Sequence, residues 1–399
     1  MAAKPIYGVG LDTGSRATRA VIVTLEQGRV RLRGCGKVDS QGWLKGRIAD
    51  QRVVTESIRS AMREAEASAG VPMEEAVVGM GGKAVRGANA RGVLEMGYVR
   101  EVDQRDVNRV VNRATRVQLL EDRMVLQLFP QDFMVDDQPG HRDPRHMLAS
   151  RLEINVHLVT ASVQEHFALV GAVNQAHLGV EETIFEGLAA AYAAVLPEER
   201  RRGVAVVDIG AESTEIVVYY GDAMQLASSV PVCGDHFTRD LAHVLCLSYE
   251  DAELVKTEYG GALSGDCADN VTVEVPTPED RDGRDVPRKL LNQVLEARSA
   301  ELFQFVRSDL ARVGMSHSLL GGVFLTGAAA RLPDLCDIAE RVLQCPARFG
   351  LPVGIRDWPE SMRDPEWATA AGLALYSAKL KVQAEREREA AGWLGRVLR

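Results

Sequence analysis

The strongest constraint on the fold of this chain is an internal repeat. Two segments, VGLDTGSRATRAVIV (9–23) and AVVDIGAESTEIVVY (205–219), align without a gap. In each, two apolar runs around a D-x-G turn predict a β-hairpin. A single such turn is most simply an ordinary hairpin, but two matched copies about half a chain apart indicate two related halves that face each other. The identical positions are Asp12/Asp208, Gly14/Gly210, Thr18/Thr214 and Val21/Val217.

Each D-x-G turn carries groups that suit a metal ion and a phosphate. A carboxylate at the end of a strand can hold Mg²⁺, because hard cations prefer oxygen ligands. The glycine allows a tight turn whose N–H groups can face an anion. Two such turns facing each other would clamp a polyphosphate and its metal, with Asp12 and Asp208 as the metal residues.

A third segment, GGVFLTGAAARLPDL (321–335), predicts a strand, a turn of small residues and a helix that begins near Pro333. The small residues at 327–330 would let a flat, bulky group such as adenosine approach closely. The chain has neither a Walker A sequence nor a GxGxxG fingerprint in a βαβ unit. We therefore expect the nucleotide to lie between two halves of an α/β protein.

Composition and charge exclude several other classes. The chain is 46% hydrophobic, only 5% aromatic and contains 36 glycines, which favours about two or three α/β domains. A net charge of −9 argues against nucleic acid as a partner. The six cysteines lack metal-binding spacing and suit reduced thiols of a cytosolic protein. No signal peptide and no apolar run of ~18 residues are present, so any membrane contact is expected to be peripheral.

The pattern around the repeat predicts further elements. Helical spacing predicts an amphipathic helix at 52–69 and a long helix at 288–312. The sequence pattern changes at 85–159. A charged helix, expected to reach about Leu120, is flanked there by strands whose residues alternate between apolar and polar, and this pattern predicts a small inserted domain. The polar run 197–202 is predicted to be a linker, and 264–288 an exposed hairpin or loop.

The end of the chain has the pattern of an interfacial membrane helix. A helix is predicted near 366–380, and a charged spacer follows at 381–389. The alternative is that the last helix packs on the protein's own core. One copy should bind a membrane weakly, so anchoring implies several copies on a filament. Apolar residues share one helical face beside cations, and the predicted membrane-binding residues are Trp393, Leu394, Arg396, Val397 and Leu398.

These residues resemble the actin, Hsp70 and sugar-kinase superfamily and, within it, the FtsA family of bacterial cell-division proteins. The resemblance covers nearly the whole chain. The stretches that carry it in the predicted insert are VGMGGKAVRGANARGVL, REVDQRDVNRVVNRA, LQLFPQDFMVDDQPGHRDPRHM and RLEINVHLVTASVQ. Those in the second half are VPVCGDHFTRDLA, AELVKTEYGGA, VTVEVP and LEARSAELF.

The resemblance implies an actin-like, two-lobed α/β fold with a nucleotide cleft between the lobes and an FtsA-type inserted subdomain. The implied boundaries are 1–84 and 160–202 for subdomain 1A, 85–159 for the inserted subdomain 1C, 203–235 and 315–378 for subdomain 2A, 236–314 for subdomain 2B, and 379–399 for a charged linker and an amphipathic membrane helix.

The resemblance also implies a site for ATP and Mg²⁺. Glu186 would orient the attacking water, and Asp12 and Asp208 would hold the metal. The implied nucleotide residues are Asp12, Thr13, Gly14, Ser15 and Arg16 in the first phosphate loop, Asp208, Gly210 and Ala211 in the second, Gly234 at the next helix, Glu253 and Lys256 for ribose and base, and Gly327, Ala328 and Arg331 around adenosine.

Several residues depart from the family pattern. Ala211, Glu212 and Glu215 stand where the second phosphate loop usually has glycine and aspartate. Glu212 would be electrostatically awkward beside a phosphate unless it helps to hold the metal. Ala328, Ala329 and Cys233 also stand where glycines are common. The expected activity is at most weak ATP hydrolysis.

The implied function is that of an adaptor, not primarily of an enzyme. It would polymerise and tether FtsZ filaments to the cytoplasmic face of the inner membrane at the division site, as a peripheral membrane protein. Its partners would be the C-terminal tail of FtsZ, itself, membrane lipids and other division proteins. The candidate FtsZ-binding residues are Arg288, Lys289, Arg298 and Arg307, although these could form a solvated face and Arg298 could face the nucleotide.

Two alternatives remain at this point. One is a soluble ATPase or kinase of the same superfamily, although the segment 85–159 offers no obvious place for a catalytic aspartate of a sugar kinase. The other is an actin-like pilus-assembly factor. The amphipathic tail argues against the second alternative.

Overall fold

The computed structural model describes residues 5–116, 119, 121–221, 223–265, 267–268, 270–276 and 283–397, without the side chains of 389–397. Within this part of the chain, no helix is both long and apolar enough to cross a membrane.

The first lobe begins with the N-terminal copy of the repeat. The first hairpin pairs Asp12 with Arg19 across its two strands. Its N-terminal elements are β1 (Ile6–Thr13), β2 (Ala17–Glu26), β3 (Arg29–Asp39), the short hairpin β4 (Trp43–Leu44) and β5 (Arg47–Ile48), α1 (Gln51–Ala69) and β6 (Glu75–Met80). Asp50 caps α1 by accepting from the N–H groups of Arg52 and Val53, and the buried face of that helix packs on the sheet, as its spacing predicts.

The insert after β6 forms its own sheet and core. Its elements are β7 (Val85–Glu101), α2 (Gln104–Thr115), β8 (Arg123–Val135), β9 (Gln138–His141) and β10 (Leu148–Ser162). The strands pair in the order β7-β10-β8-β9. Alternate residues of β10, such as Leu152 and Ile154, join Val110 of α2 in a separate core. The helix α2 ends at Thr115 instead of continuing to about Leu120, which lies outside the described residues.

The first lobe is completed by α3 (Val163–Gln175), β11 (Gly179–Phe185), α4 (Glu186–Ala194) and α5 (Pro197–Arg201). The predicted linker at 197–202 is therefore wrong. Pro197 suits the first turn of a helix, and the Glu199 carboxylate accepts from the N–H of Leu196, so this short polar run closes into one helical turn.

The second lobe begins with the second copy of the repeat. In its hairpin Asp208 lies opposite Glu215. The elements are β12 (Val204–Ile209), β13 (Thr214–Tyr220), β14 (Ala223–Val230), α6 (Gly234–Leu245), α7 (Tyr249–Tyr259), β15 (Thr272–Val275), β16 (Arg284–Pro287), α8 (Arg288–Arg312), β17 (Gly322–Thr326), α9 (Leu335–Leu343) and β18 (Ala347–Phe349). The five-stranded sheet has the order β14-β13-β12-β17-β18.

The chain returns to the first lobe through β19 (Ile355–Arg356) and α10 (Ala368–Val397). The first sheet thereby has the order β11-β6-β1-β2-β3-β19. The helix α10 packs against β1 and α4, so closely that a Cβ at Gly372 would lie 1.7 Å from the carbonyl oxygen of Ala189. The helix expected to end near residue 380 continues to Val397, and the charged run 381–389 is helical rather than a separate linker.

Candidate functional site

The two D-x-G turns meet at the bottom of a cleft between the two large sheets. Three adjoining cavities occupy this cleft, with volumes of about 850, 100 and 80 Å³. The structure brings all the nucleotide, metal and catalytic residues predicted above to the walls of these cavities: Asp12, Thr13, Gly14, Ser15, Arg16, Glu186, Asp208, Gly210, Ala211, Gly234, Glu253, Lys256, Gly327, Ala328 and Arg331.

The largest cavity has the size and charge to hold a nucleotide. Its volume of about 850 Å³ lies within the usual range of small-molecule sites. Cations from both lobes line it, among them Arg16, Lys37 and Arg331, together with the small residues Gly234 and Ala328. Small residues allow a flat ring to approach, while the cations suit phosphate oxygens.

A polar network closes one side of this cavity. The Lys256 Nζ donates to Glu253 Oε2 at 2.6 Å and to the Thr238 Oγ1 at 2.8 Å. Burial alone would raise the pKa of Glu253, but Lys256 and the hydroxyl of Thr238 outweigh burial, and the pKa is lowered. Glu253 therefore stays charged and can accept hydrogen bonds from hydroxyl groups such as those of a ribose.

The turn after β17 requires glycine at position 327. Its φ is +83°, and a Cβ there would lie 2.4 Å from the carbonyl oxygen of Ile209 and 2.5 Å from Asp208 Oδ1. The short 3-10 helix Ala328–Arg331 can thus follow directly over the second D-x-G turn. The small-residue segment predicted for adenosine consequently lies next to the predicted metal residue.

Among the carboxyl groups that line the cavity of about 100 Å³ are the buried Asp12, Asp208 and Glu215 and the half-buried Glu186. Burial raises the pKa of Asp12 to about 6, although Arg19 acts against it. Burial and the charge of Asp208 raise the pKa of Glu215 to about 8. Burial, followed by Glu215 and Asp12, raises the pKa of Glu186 well above its ordinary value. Such mutual repulsion would be relieved by a bound cation.

The residues fit a magnesium ion held by few protein ligands. Within the described residues, no group of three or more His, Cys, Asp or Glu side chains has the arrangement of a metal cage. Mg²⁺ usually takes one or two carboxylates and completes its shell with water and phosphate oxygens, and two opposed aspartates meet that need. Asp208 is oriented by the Thr369 hydroxyl, which donates to Asp208 Oδ2 at 2.6 Å.

Glu186 begins α4 and lines both small cavities, beside the two turns. A Cβ at Gly81 would lie 2.2 Å from Glu186 Oε2, so glycine at 81 makes room for this carboxyl group. The raised pKa makes Glu186 harder to ionise than an ordinary glutamate unless a cation enters the site. In its protonated form the carboxyl group cannot act as a base toward water.

The tips of the two turns each reach across the cleft. Arg16 of the first turn lies 3.4 Å from Asp235 and packs over the ring of Tyr249, 4.7 Å from its centroid. Glu212 of the second turn accepts from the backbone N–H groups of Lys45 (3.2 Å) and Gly46 (2.7 Å). Glu212 therefore binds the turn between β4 and β5, which accounts for an acid at this position without any role in holding the metal.

Several residues of the cleft carry no local sequence signal. Arg19 and Glu215 occupy matched positions of the repeat but differ from each other, so the alignment did not single them out. Their strand register alone could have indicated that they lie beside the two aspartates. Lys37 comes from β3, Glu366 from the turn just before α10 and Thr369 from the start of α10, and only the tertiary fold brings them to the site.

The basic residues predicted to bind a partner on α8 do not form one surface. Arg298 is engaged by Asp240, with contacts of 2.6 and 2.9 Å, and by Glu301. Its guanidinium is therefore already neutralised within the second lobe, and the structure does not turn it toward the nucleotide cavity. Arg307 is exposed, and about two and a half helical turns separate it from Arg298, so the two point to opposite sides. Arg288 donates to the carbonyl of Tyr259.

The predicted membrane-binding residues fall at the edge of the described chain. The backbone of Trp393, Leu394, Arg396 and Val397 is part of α10, but their side chains lie outside the described residues. Leu398 lies outside them altogether.

Two lobes that each end in a D-x-G turn, with a cleft between them, define an actin-like protein. Solved structures agree on this fold. A chain of the PilM-PilN type IV pilus biogenesis complex superposes with a TM-score of 0.67 at 19% identity, over 93% of this chain and 98% of that one. MreB5 of Spiroplasma citri bound to ADP gives 0.57 at 12% identity, over 95% and 98% of the two chains. The predicted fold class is thereby confirmed.

Sequence relatives identify the family. The family model described as "Cell division protein FtsA" matches residues 205–372, and the "SHS2 domain inserted in FTSA" matches residues 82–160. Cell division protein FtsA of Pseudomonas aeruginosa is 33% identical over 92% of this chain and 88% of its own length. The FtsA proteins of Escherichia coli K12 and Bacillus subtilis are 32% and 30% identical, over 96% and 93% of this chain and 92% and 83% of theirs. The chain belongs to the FtsA family of cell division proteins.

Proposed function

We propose that this actin-like division protein binds ATP with Mg²⁺, polymerises and tethers FtsZ filaments to the cytoplasmic face of the inner membrane. The observation that carries the proposal is the cleft, where two D-x-G turns, four carboxyl groups and a nucleotide-sized cavity converge. Membership of a cell-division family supports the cellular role.

The cleft supports binding more strongly than rapid hydrolysis. Asp12 and Asp208 would hold Mg²⁺, and the segment at 327–331 would cover adenosine. Bound Mg²⁺ would supply charge stabilisation for the phosphates. Burial raises the pKa of Glu215 to about 8 and the pKa of Glu186 well above its ordinary value, which favours the protonated forms of both groups when no cation is bound. We therefore propose that ATP chiefly orders the two lobes and is hydrolysed slowly at most.

The tail supports a membrane role through its continuity with the body of the protein. The helix α10 runs unbroken to Val397, and residues 383–388 are exposed and mostly charged. These charges keep the helical segment 383–388 in water, while the turns that follow it carry the predicted interfacial residues. Burying one Trp, two Leu and one Val would contribute about 1.5–3 kcal/mol each at full insertion, so one weak anchor needs the avidity of a filament.

The second lobe is the proposed docking site for the C-terminal tail of FtsZ. Arg288, Lys289 and Arg307 remain its candidate contacts, whereas Arg298 is committed to Asp240 and would orient the helix rather than the peptide. Exposed apolar residues of the second lobe, including Leu254 of α7 and Leu290 of α8, offer a surface for the apolar part of a peptide.

A sugar-kinase function is disfavoured by the size of the cavity beyond Glu186. That cavity, lined by Trp43, Gly81 and Glu165, has a volume of about 80 Å³. Small-molecule sites are usually about 300–1,000 Å³, so a hexose would not fit there. The likeness to a pilus biogenesis complex concerns the fold alone, at 19% identity.

Liposome co-sedimentation tests the tethering function. Full-length protein and a chain ending at Arg388 would be mixed with FtsZ and vesicles that contain anionic lipid. We expect only the full-length chain to pellet and to carry FtsZ with it. If both chains stay soluble, or both pellet equally, the tail is not the anchor and the soluble alternatives gain.

A further inference from the structure

The insert contacts the second lobe as well as the first. In chain order it belongs to the first lobe, but the face of its sheet that points away from α2 lies against β14, the edge strand of the five-stranded sheet. Met224 and Ala227 of β14 belong to one apolar cluster with Val159 of β10. These three residues lie outside the linings of the three cleft cavities, so the junction is separate from the cleft.

Side chains of the insert occupy the outer edge of β14. An edge strand presents backbone N–H and C=O groups that its own sheet does not pair. Here the N–H of Ala227 donates to His157 Nε2 at 2.9 Å, and Gln131 Nε2 donates to two carbonyl oxygens of β14 at 3.0 and 3.4 Å. Arg142 donates to the carbonyl of Gly221 in the turn before β14. We call the side chains of Gln131, Arg142 and His157 the β14 clamp.

His157 is the buried centre of the clamp. It is only 2% exposed, and burial lowers the pKa of its ring to about 4, so the ring is neutral at pH 7. Because Nε2 accepts from the N–H of Ala227, the ring proton lies on Nδ1, which donates to Asn89 Oδ1 at 2.6 Å. Both ring nitrogens are therefore engaged, and the ring is held between β7 and β14.

The backbones of β7 and β14 approach each other closely at Gly87. A Cβ there would lie 1.9 Å from the carbonyl oxygen of Ala227 and 2.7 Å from His157 Nε2. The φ angle of Gly87 is not positive, so glycine is needed for space and not for backbone conformation. Any larger residue at position 87 would push the insert away from the second lobe.

We propose that the β14 clamp ties the second lobe to the insert and thereby limits how far the cleft can open. The strand β14 is two strands away from β12, where the chain first enters the second lobe, which is about 10 Å at the usual strand spacing. A contact at that distance from the crossing resists rotation of the second lobe about it. Displacing the insert would in turn loosen the cleft. The clamp acts without a bound nucleotide, so the inference does not depend on the proposed function.

Hydrogen exchange of the full chain, without nucleotide, tests the clamp at a distance. The remote readout is the pair of amides at Lys45 and Gly46, which donate across the cleft to Glu212 of the second lobe. H157L leaves the buried N–H of Ala227 without its acceptor, so exchange of that amide should speed up about 10-fold. Exchange at residues 45–46 should speed up about 3-fold or more. H157Q keeps an acceptor on the side chain and should restore most of the protection.

Two alanine substitutions on β7 form a matched pair. G87A places a methyl group against the carbonyl oxygen of Ala227 and should loosen both β14 and the amides at 45–46. G92A is the control, because a Cβ at Gly92 would lie 2.2 Å from the carbonyl oxygen of Val110 in α2. The two glycines are an odd number of residues apart and so lie on opposite faces of β7. G92A should therefore speed exchange in α2 and leave the amides at 45–46 unchanged.

The outcomes distinguish a clamp between the lobes from a local contact. If β14 loosens in H157L and G87A while residues 45–46 keep their protection, the clamp does not reach the cleft and the inference is wrong. Equal loosening at 45–46 in G92A would also contradict it, because general destabilisation of the insert would then explain the effect. If H157L and G87A fail to fold, Q131A at a half-buried side chain replaces them, with the same pattern expected at about 2-fold.

Discussion

The two D-x-G turns have the same backbone arrangement but opposite charges around it. Each aspartate faces a residue of the neighbouring strand in the same register, and that residue is Arg19 in the first lobe and Glu215 in the second. The residue at the tip of each turn differs in the same sense, with Arg16 in the first and Glu212 in the second. The same backbone arrangement therefore carries basic residues in the first lobe and acidic residues in the second.

Because of this difference, the first-lobe side of the cleft is basic and the second-lobe side is acidic. On the first-lobe side Arg19 and its neighbours suit phosphate oxygens, and Arg19 opposes the rise in the pKa of Asp12. On the second-lobe side Glu215 adds to the repulsion around Asp208, and its own pKa rises to about 8. A ligand that carries both phosphates and a metal ion would match the charges on both sides of the cleft. The next four predictions test this asymmetry, beginning with the largest effect.

Making the first turn resemble the second should have the largest effect. R19E would place a further acid beside Asp12 and Glu366 in a buried site. Breaking a buried ion pair in this way should lower the free energy of unfolding by about 3–5 kcal/mol, as measured by urea denaturation at pH 7. R33E at the exposed edge of the sheet should change it by less than about 0.5 kcal/mol. A similar loss for both variants would remove the distinction between the site and the surface.

Neutralising Glu215 of the second turn should raise the free energy of unfolding, in contrast to R19E, and the size of the increase should depend on pH. The folded-state pKa of Glu215, about 8, lies above its value in an unfolded chain, about 4.5. Below pH 4.5 the group is protonated in both states and costs nothing. As the pH rises toward 8, only the unfolded state loses its proton, so wild type should lose stability. E215Q should lack this loss and exceed wild type at pH 9 by on the order of 2–4 kcal/mol.

Chemical denaturation from pH 4 to pH 9, without Mg²⁺, measures the pH effect. E274Q is a suitable control, because Glu274 is exposed on β15. Parallel pH curves for wild type and E215Q would show that Glu215 ionises normally in the fold.

Removing the tip of the second turn should loosen the first lobe locally. E212A takes away two hydrogen bonds to the backbone at Lys45 and Gly46. Hydrogen bonds to a charged acceptor contribute about 1.5–3 kcal/mol, so exchange of these two amides should speed up by about 10-fold or more. Hydrogen exchange resolved by mass spectrometry would detect it. Unchanged protection at residues 45–46 would mean that the turn holds its place without Glu212.

Removing the tip of the first turn should matter least. Arg16 is 55% exposed and its contact with Asp235 is 3.4 Å long. Exposed ion pairs contribute about 0.2–1 kcal/mol, and the contact with the Tyr249 ring adds little more. R16A should therefore lower the free energy of unfolding by about 1 kcal/mol or less in the same denaturation assay. A loss larger than that of R19E would reverse the order of the two contacts.

The sequence predicted most of what depends on local pattern. The repeat placed the two hairpins and the cleft between two lobes, and the long helix predicted at 288–312 matches α8. The turn Pro197–Arg201 was missed because five polar residues carry too little periodicity to indicate a helix. The extent of α10 was missed because a charged run suits an exposed helix and a linker equally well.

The site was predicted only where motif and position coincide. The glycines and aspartates of the turns can be recognised in the sequence by their residue type and spacing. Arg19 and Glu215 depend on which face of a strand they share with those aspartates, and Glu366 depends on contact with β2 and β3 across the whole chain. A charged residue whose role depends on its tertiary neighbours cannot be recognised from a short stretch of sequence.

The unbroken helix α10 connects the first lobe rigidly to the end of the chain. Its first turns are wedged beside α4 and β1, and Lys381 is tied to Glu75 and Glu181 of the first lobe at 3.3 and 3.5 Å. From Lys381 to Val397 the projecting part of the helix is about 24 Å long at the usual rise. A rotation of the first lobe by about 10° would therefore move the end of the helix by about 4 Å. The tilt of the first lobe would thus be coupled to the position of whatever surface holds the end of the helix.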